Sequence, residues 1–222
     1  MKGLLLISVI GIASLAAGSQ AVKVWDFEKA EVGKLPKGWS AAKTGKGPGS
    51  VWKVLEDKSA PAGPKVLVQT SSAGPRSLFN LCVADATQYT DLDLTVALKA
   101  LGGKIDQGGG PAWRYRDEDN YYVARLNPLE ANYRVYKVVK GKRTELASAD
   151  LQKKESLAGQ WHTIRIIPRG GRIRCCLDGK LRLELKDDTF RGAGKVGLWT
   201  KADAVTAFDK LSVAAVAPAA SR

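Results

Sequence analysis

The 222-residue chain has one histidine, one methionine and three cysteines, and each scarcity removes a class of chemistry. His162 stands in a strand-like run with Trp161 and Ile164, which suits a core or half-buried side chain better than the base of a Ser-His-Asp relay. It would also be a lonely zinc ligand, and no CxxC spacing supports a thiolate site. Three cysteines allow at most one internal disulfide and leave a thiol over. Cys175 and Cys176 are adjacent on a strand pattern and point to opposite faces, so only one of them can reach Cys82. No apolar run approaches the roughly 20 residues of a membrane-spanning helix. Helical periodicity is confined to a short, weak pattern over 147–157.

What is present begins with an export signal. Lys2, an apolar and small-residue stretch from Leu4 to Ala17, and the small-x-small end Ser19, Gln20, Ala21 predict a signal peptide over 1–21. No cysteine follows Gly18, so a lipoprotein anchor is not indicated. The protein is expected to be periplasmic or extracellular. Its formal charge of +13 favours polyanions, which for an exported protein means acidic polysaccharide, lipid headgroups or wall polymers before nucleic acid. A scattered basic surface serving solubility accounts for the same charge. There is no dense Lys/Arg tail of the kind that binds nucleic acid.

The mature pattern is all-β. Trp25 and Phe27 alternate with Asp26 and Glu28, Leu92 to Leu98 alternates apolar with polar, and loops rich in Gly and Pro fall at sandwich-like spacing. A single antiparallel β-sandwich over 22–213, with a short tail over 214–222, follows. The segment from Gly108 to Tyr136 threads arginine and aromatic residues through three strand-like runs. Pairing its strands across a four-residue turn at 117–120 and across 128–131 puts Trp113, Tyr115, Tyr122, Ala124, Leu126, Tyr133 and Val135 on a core face. The opposite face collects Arg114, Arg116, Tyr121, Val123, Arg125, Asn127, Asn132, Arg134 and Tyr136. Gly108 to Gly110 read as a bulge or bend before a strand, since no helix follows to make a phosphate loop. Asp178-Gly179 marks a tight hairpin of the primed kind.

Several blocks agree with a known family: WDFEKAEVGKLPKGW from Trp25, DQGGGPAWRYRDEDNYYVARLNPLE from Asp106, RVYKVVKGKRTELASAD from Arg134, GQWHTIRI from Gly159 and the stretch from Asp187 to Leu211. Together they resemble the bacterial exported concanavalin A-like jelly rolls known as 3-keto-disaccharide hydrolase, or family-16-glucanase-like, domains. The resemblance runs from Trp25 to Val213. It implies two curved antiparallel sheets with any ligand groove on the concave face.

Glycoside hydrolysis usually needs two carboxyl groups about 5 to 9.5 Å apart. The Glu-x-Asp-x-x-Glu strand signature of the family-16 glucanases is missing; Asp91-Leu92-Asp93 meets Val96 where the third acid would stand, and reads as a solvated strand edge. A hydrolase of the 3-keto-disaccharide type would have to draw its acids from loops, with Asp106, Glu130 and Asp203 as candidates. A binding protein needs less. Arg114, Arg125, Arg134, Asn127 and Asn132 offer donors to sugar hydroxyls, and Tyr121 and Tyr136 offer ring faces. Lys201, with Trp199 and Asp203 in a loop after Gly197, is placed to close a groove. Clustered guanidinium groups also suit an acidic glycan. A surface-interaction module remains a third reading. No cofactor is expected beyond a weak structural calcium site at Asp26, Glu28 and Asp209, on strands that jelly rolls often tie together.

Overall fold

The computed structural model describes residues 21–152 and 157–217, so the expected signal peptide up to residue 20, residues 153–156 and the last five residues lie outside it. The first sheet contains β1 (Lys23–Trp25), β3 (Trp52–Glu56), β4 (Lys65–Gln69), β6 (Leu92–Gly102), β11 (Trp161–Arg169), β12 (Arg172–Leu177), β13 (Lys180–Lys186) and β15 (Val205–Ala215). The second contains β2 (Trp39–Thr44), β5 (Phe79–Ala84), β7 (Gly110–Asp117), β8 (Asn120–Asn127), β9 (Asn132–Val139), β10 (Lys142–Asp150) and β14 (Lys195–Lys201). Their orders are β13-β12-β11-β6-β15-β4-β3, with β1 also on β15, and β10-β9-β8-β7-β14-β5-β2. All the strand pairings are antiparallel, and the described residues contain no helix. The architecture is the expected two-sheet jelly-roll sandwich.

Apolar alternation explains how the layers close. Leu92, Leu94, Val96 and Leu98 of β6 face Trp113, Tyr122, Ala124, Leu126 and Val135 of the other sheet, and Ile164, Ile166, Ile173, Cys175 and Leu177 complete the same core. Burying a Val, Leu or Ile side chain contributes roughly 1.5–3 kcal/mol, so this interior holds the sheets together. Cys82, Cys175 and Cys176 are free thiols, and the first two are buried in the core. Asp178 and Gly179 both take positive φ, 50° and 75°, as a type I′ turn requires. Strand β15 continues through Ala215, two residues past the expected domain boundary.

Strand β9 pairs with β8 in the expected register, Arg125 opposite Arg134 and Val123 opposite Tyr136. Strand β7 departs from expectation. Asp117 faces Asn120 at the tip, but Trp113 faces Tyr122, so β7 carries two extra residues at a bulge where Arg114 takes φ 46°. The bulge breaks simple alternation. Tyr115 leaves the core side and packs beside Tyr121, with ring centroids 6.0 Å apart, whereas the Arg116 guanidinium lies over Phe190.

Candidate functional site

The outward face of the second sheet carries a second cluster: Phe79, Leu81, Val83, Ala112, Tyr121, Val123, Tyr136, Val138 and Trp199, with Tyr115 at its margin. Set into this apolar ground is a network of charges. Arg125 of β8 donates from Nη1 to Asp106 Oδ2 at 3.2 Å, and from Nη2 to Glu130 Oε2 at 2.7 Å and Asn132 Oδ1 at 2.9 Å. Asp106 also accepts from Asn127 Nδ2 at 2.9 Å and from Lys201 Nζ at 2.9 Å. Arg134, opposite Arg125 on β9, lies 3.8 Å from Glu130 and 3.4 Å from Glu145 of β10.

The loop bearing Asp106 reaches this network because of three glycines. A Cβ on Gly108, Gly109 or Gly110 would run into the carbonyl oxygens of Leu126, Trp199 and Ala124 respectively. Gly109 exchanges two backbone hydrogen bonds with Leu126, at 3.1 and 2.9 Å. The GGG run is thus a close approach to two neighbouring strands, which is more specific than the expected bend. Asp203 fixes the other end of the loop by accepting the backbone N–H groups of Lys104, Ile105 and Asp106. Burial raises its pKa, but those three donors bring it below the ordinary carboxylate value.

The candidate residues divide sharply by exposure. Arg125, Asn127, Asn132, Tyr121, Tyr136 and Asp106 are buried, so the two tyrosines do not offer ring faces as expected. Tyr121 instead accepts from Trp199 Nε1 at 3.2 Å and bonds the Thr44 hydroxyl at 2.8 Å. The reachable rim is Glu130, Arg134 and Glu145, with side chains 42, 31 and 45% exposed, and Lys201 lies just beneath. Lys201 and Trp199 belong to β14 and not to a loop. Burial pushes the Glu130 pKa upward, but the Asn132 hydrogen bond and the Arg125 charge carry it down to about 2.

Arg114 does not join this site. The bulge turns its guanidinium to the carbonyls of Thr90, Phe190 and Gly170 and to Asp91 Oδ1 at 3.1 Å. Asp91 is correspondingly a buried clasp, where a solvated edge was expected; Asp93 pairs with Arg165. Of the calcium candidates, Asp26 accepts from the backbone of Glu28, Glu28 from that of Lys65, and Asp209 from those of Ala62 and Lys210. Among the described residues no group of three or more His, Cys, Asp or Glu side chains could hold a metal ion.

Arg143 is the residue that sequence reasoning missed. It stands opposite Val138 on β10, its guanidinium 4.3 Å from the Tyr136 ring centroid, 5.2 Å from Phe79 and 5.9 Å from Trp199. Its Nη1 is shielded from solvent without a hydrogen-bond partner, and no carboxylate lies within ion-pair distance among the described residues. The signal was there: Lys140-Gly141 is a two-residue turn with φ 51° and 74°, and carrying the β8–β9 faces across it puts Arg143 beside Tyr136.

Neither a protein-family model nor a curated protein sequence matches the chain. Solved structures do resemble it. The carbohydrate-binding module CBM66 from Bacillus subtilis superposes with TM-score 0.60 at 16% identity, over 80% of this chain and 96% of that one. The VIP36 exoplasmic/lumenal domain, in a Ca2+/Man-bound form, gives 0.56 at 12% identity over 90 and 92%. A galectin-like protein of unknown function from Bacillus subtilis gives 0.54 at 13% identity over 82 and 91%. At these identities the likeness is one of fold, a two-sheet jelly-roll sandwich.

Proposed function

We propose that the chain is an exported carbohydrate-binding domain whose site is the outward face of the second sheet, at the rim formed by Glu130, Arg134 and Glu145. The observation that carries this reading is the charged network beneath that rim. Burying Arg125, Asp106 and Lys201 together brings little net stability, because desolvation offsets most of their attraction. What the network does is hold Glu130 and Asn132 in one geometry, which a polar binding surface requires. Sugar hydroxyls both donate and accept, and the rim presents carboxylates beside a guanidinium. The carbohydrate ligands named for CBM66 and VIP36, on the same fold, support the reading. An acidic sugar unit is the finer form of it, since Arg143 adds a cation that makes no direct ion pair among the described residues.

Retention of the mature protein on a panel of immobilised glycans tests the proposal. Arg134→Ala is expected to weaken retention about tenfold, the equivalent of about 1.4 kcal/mol, with the unfolding transition unchanged. Unchanged retention would count against this face.

One observation favours hydrolysis as a second reading. The two terminal nitrogens of Arg125 hold Asp106 and Glu130 no farther apart than the roughly 9.5 Å that glycosidases use. Against it, Glu130 and Asp203 are both held below the ordinary carboxylate range, so neither is poised as a proton donor. Incubation with 3-keto and ordinary disaccharides decides: turnover that vanishes in Glu130→Gln establishes the enzyme.

A further inference from the structure

On the opposite side of the molecule, the outward face of the first sheet contains a cleft of about 740 Å³. Arg165, Arg169, Arg172 and Arg174 line it, with Asp93 and Glu184 as its acids and Ile167, Cys176 and Leu181 as its apolar floor. Strand pairing makes this concentration unusual. Arg169 stands directly opposite Arg172 across β11 and β12, and like charges in that position are destabilising. The carboxylates relieve it unevenly. Asp93 takes Arg165 and Glu184 takes Arg172, while Arg174 reaches Glu184 only at 3.6 Å. Arg169 has no ion pair among the described residues. The cationic side chains are open to solvent: Arg165, Arg172 and Arg174 are 51, 61 and 49% exposed.

The hairpin that carries the unbalanced pair is held in place. Its Gly170 donates to Asp91 Oδ1 at 2.9 Å and accepts from Arg114 Nη2 at 2.8 Å, and Gly171 accepts from the backbone of Asp187 at 2.9 Å. The arginines therefore project from a fixed ribbon: Arg172 and Arg174 are about 7 Å apart along β12, Arg169 is about 5 Å across from Arg172, and Arg165 is about 13 Å from Arg169 along β11, with Ile167 between. An anionic polymer meets such a fixed cluster at little cost in ordering the protein.

We infer that this cleft is a second binding surface, for an anionic polysaccharide. Guanidinium groups take sulfate or carboxylate groups in paired hydrogen bonds. Asp93 and Glu184 can accept hydroxyl donors, which a glycan has and a polyphosphate backbone lacks. None of the lining side chains is aromatic, so the cleft has no platform on which bases would stack. The inference stands independently of the site on the second sheet, about which it assumes nothing.

The test measures binding of the mature chain to dextran sulfate, polygalacturonate, neutral dextran and poly-dT at several salt concentrations. The surface surrounds Arg169 and Arg174 with solvent, so the double variant Arg169→Gln/Arg174→Gln keeps the fold, as an unchanged unfolding temperature verifies. It should bind the anionic polysaccharides at least tenfold more weakly and lose part of their salt dependence. The charge-matched variant Lys46→Gln/Lys58→Gln, altered on exposed loops elsewhere, should change by less than twofold. Binding to the sulfated polymer alone identifies sulfate as the anion recognised, and binding to both polymers assigns recognition to charge spacing. Equal losses in the two double variants would show only diffuse attraction, and poly-dT bound as tightly as the polysaccharides would make the surface one for nucleic acid; either overturns the inference.

Discussion

Asp187 shows how much one side chain contributes where strands end. It accepts hydrogen bonds from Tyr122 at 2.5 Å, Lys137 at 2.8 Å and the backbone of Thr189 at 2.9 Å. Burial pushes its pKa up, but Lys137 and Tyr122 outweigh that and hold it at about 2. A carboxylate depressed by folding stabilises the protein above its unfolded pKa, near 3.9, and that stability drains away as pH falls toward the folded value. Asp187→Asn is therefore expected to be less stable than the parent at pH 7 and to approach it as pH drops from about 4 to 2. Urea unfolding at a series of pH values measures this; a gap that stays constant with pH would show that the charge is not what matters.

At the scale of elements, β7 and the loop before it decide what reaches the proposed site. Gly110 packs so closely on Ala124 that Gly110→Ala must displace one strand or the other. Overpacking of this kind costs typically 1–3 kcal/mol, and here it would also draw Asp106 away from Arg125. Loss of both stability and glycan retention is expected in Gly110→Ala, against loss of retention alone in Arg134→Ala. The contrast between β7 and β9 also explains what could be read in advance. The Asn127–Asn132 turn takes Ala131 through positive φ but leaves the register unbroken, so alternation carried Arg125, Arg134 and Tyr136 to their true face. Two extra residues at Arg114 left no mark in the local pattern, because a positive φ at an arginine is set by partners far along the chain: Thr90, Phe190 and Gly170. The floor of the site was hidden for a similar reason. Nothing in the alternation of Tyr121 and Tyr136 shows that Phe79 and Trp199 pack beneath them, since those come from two other strands, β5 and β14.

The whole molecule is held by burial without any cross-link among its described residues. Cys82 and Cys175 lie fully buried on different sheets, and burial pushes both thiols up from their ordinary pKa. A reductant is accordingly expected to leave the unfolding temperature unchanged, and both thiols should resist a thiol reagent until the protein unfolds. A drop in unfolding temperature with reductant would reveal a disulfide and overturn this. The all-β class, the two-sheet sandwich and the core faces of β6, β8 and β9 were legible because each rests on period-two alternation. The arginine cleft was not, because its significance depends on which strands become neighbours.

The sheet orders place β15 between β6 and β4, and β14 between β7 and β5. The two strands made last thus lie inside the sheets, so the second sheet cannot close before residue 201 has been made, nor the first before residue 215. Contacts so distant in sequence form slowly, and the N-terminal strands must wait with unpaired edges. For a chain exported as proposed, staying open until its end has been made keeps it in a state that a translocation channel can thread.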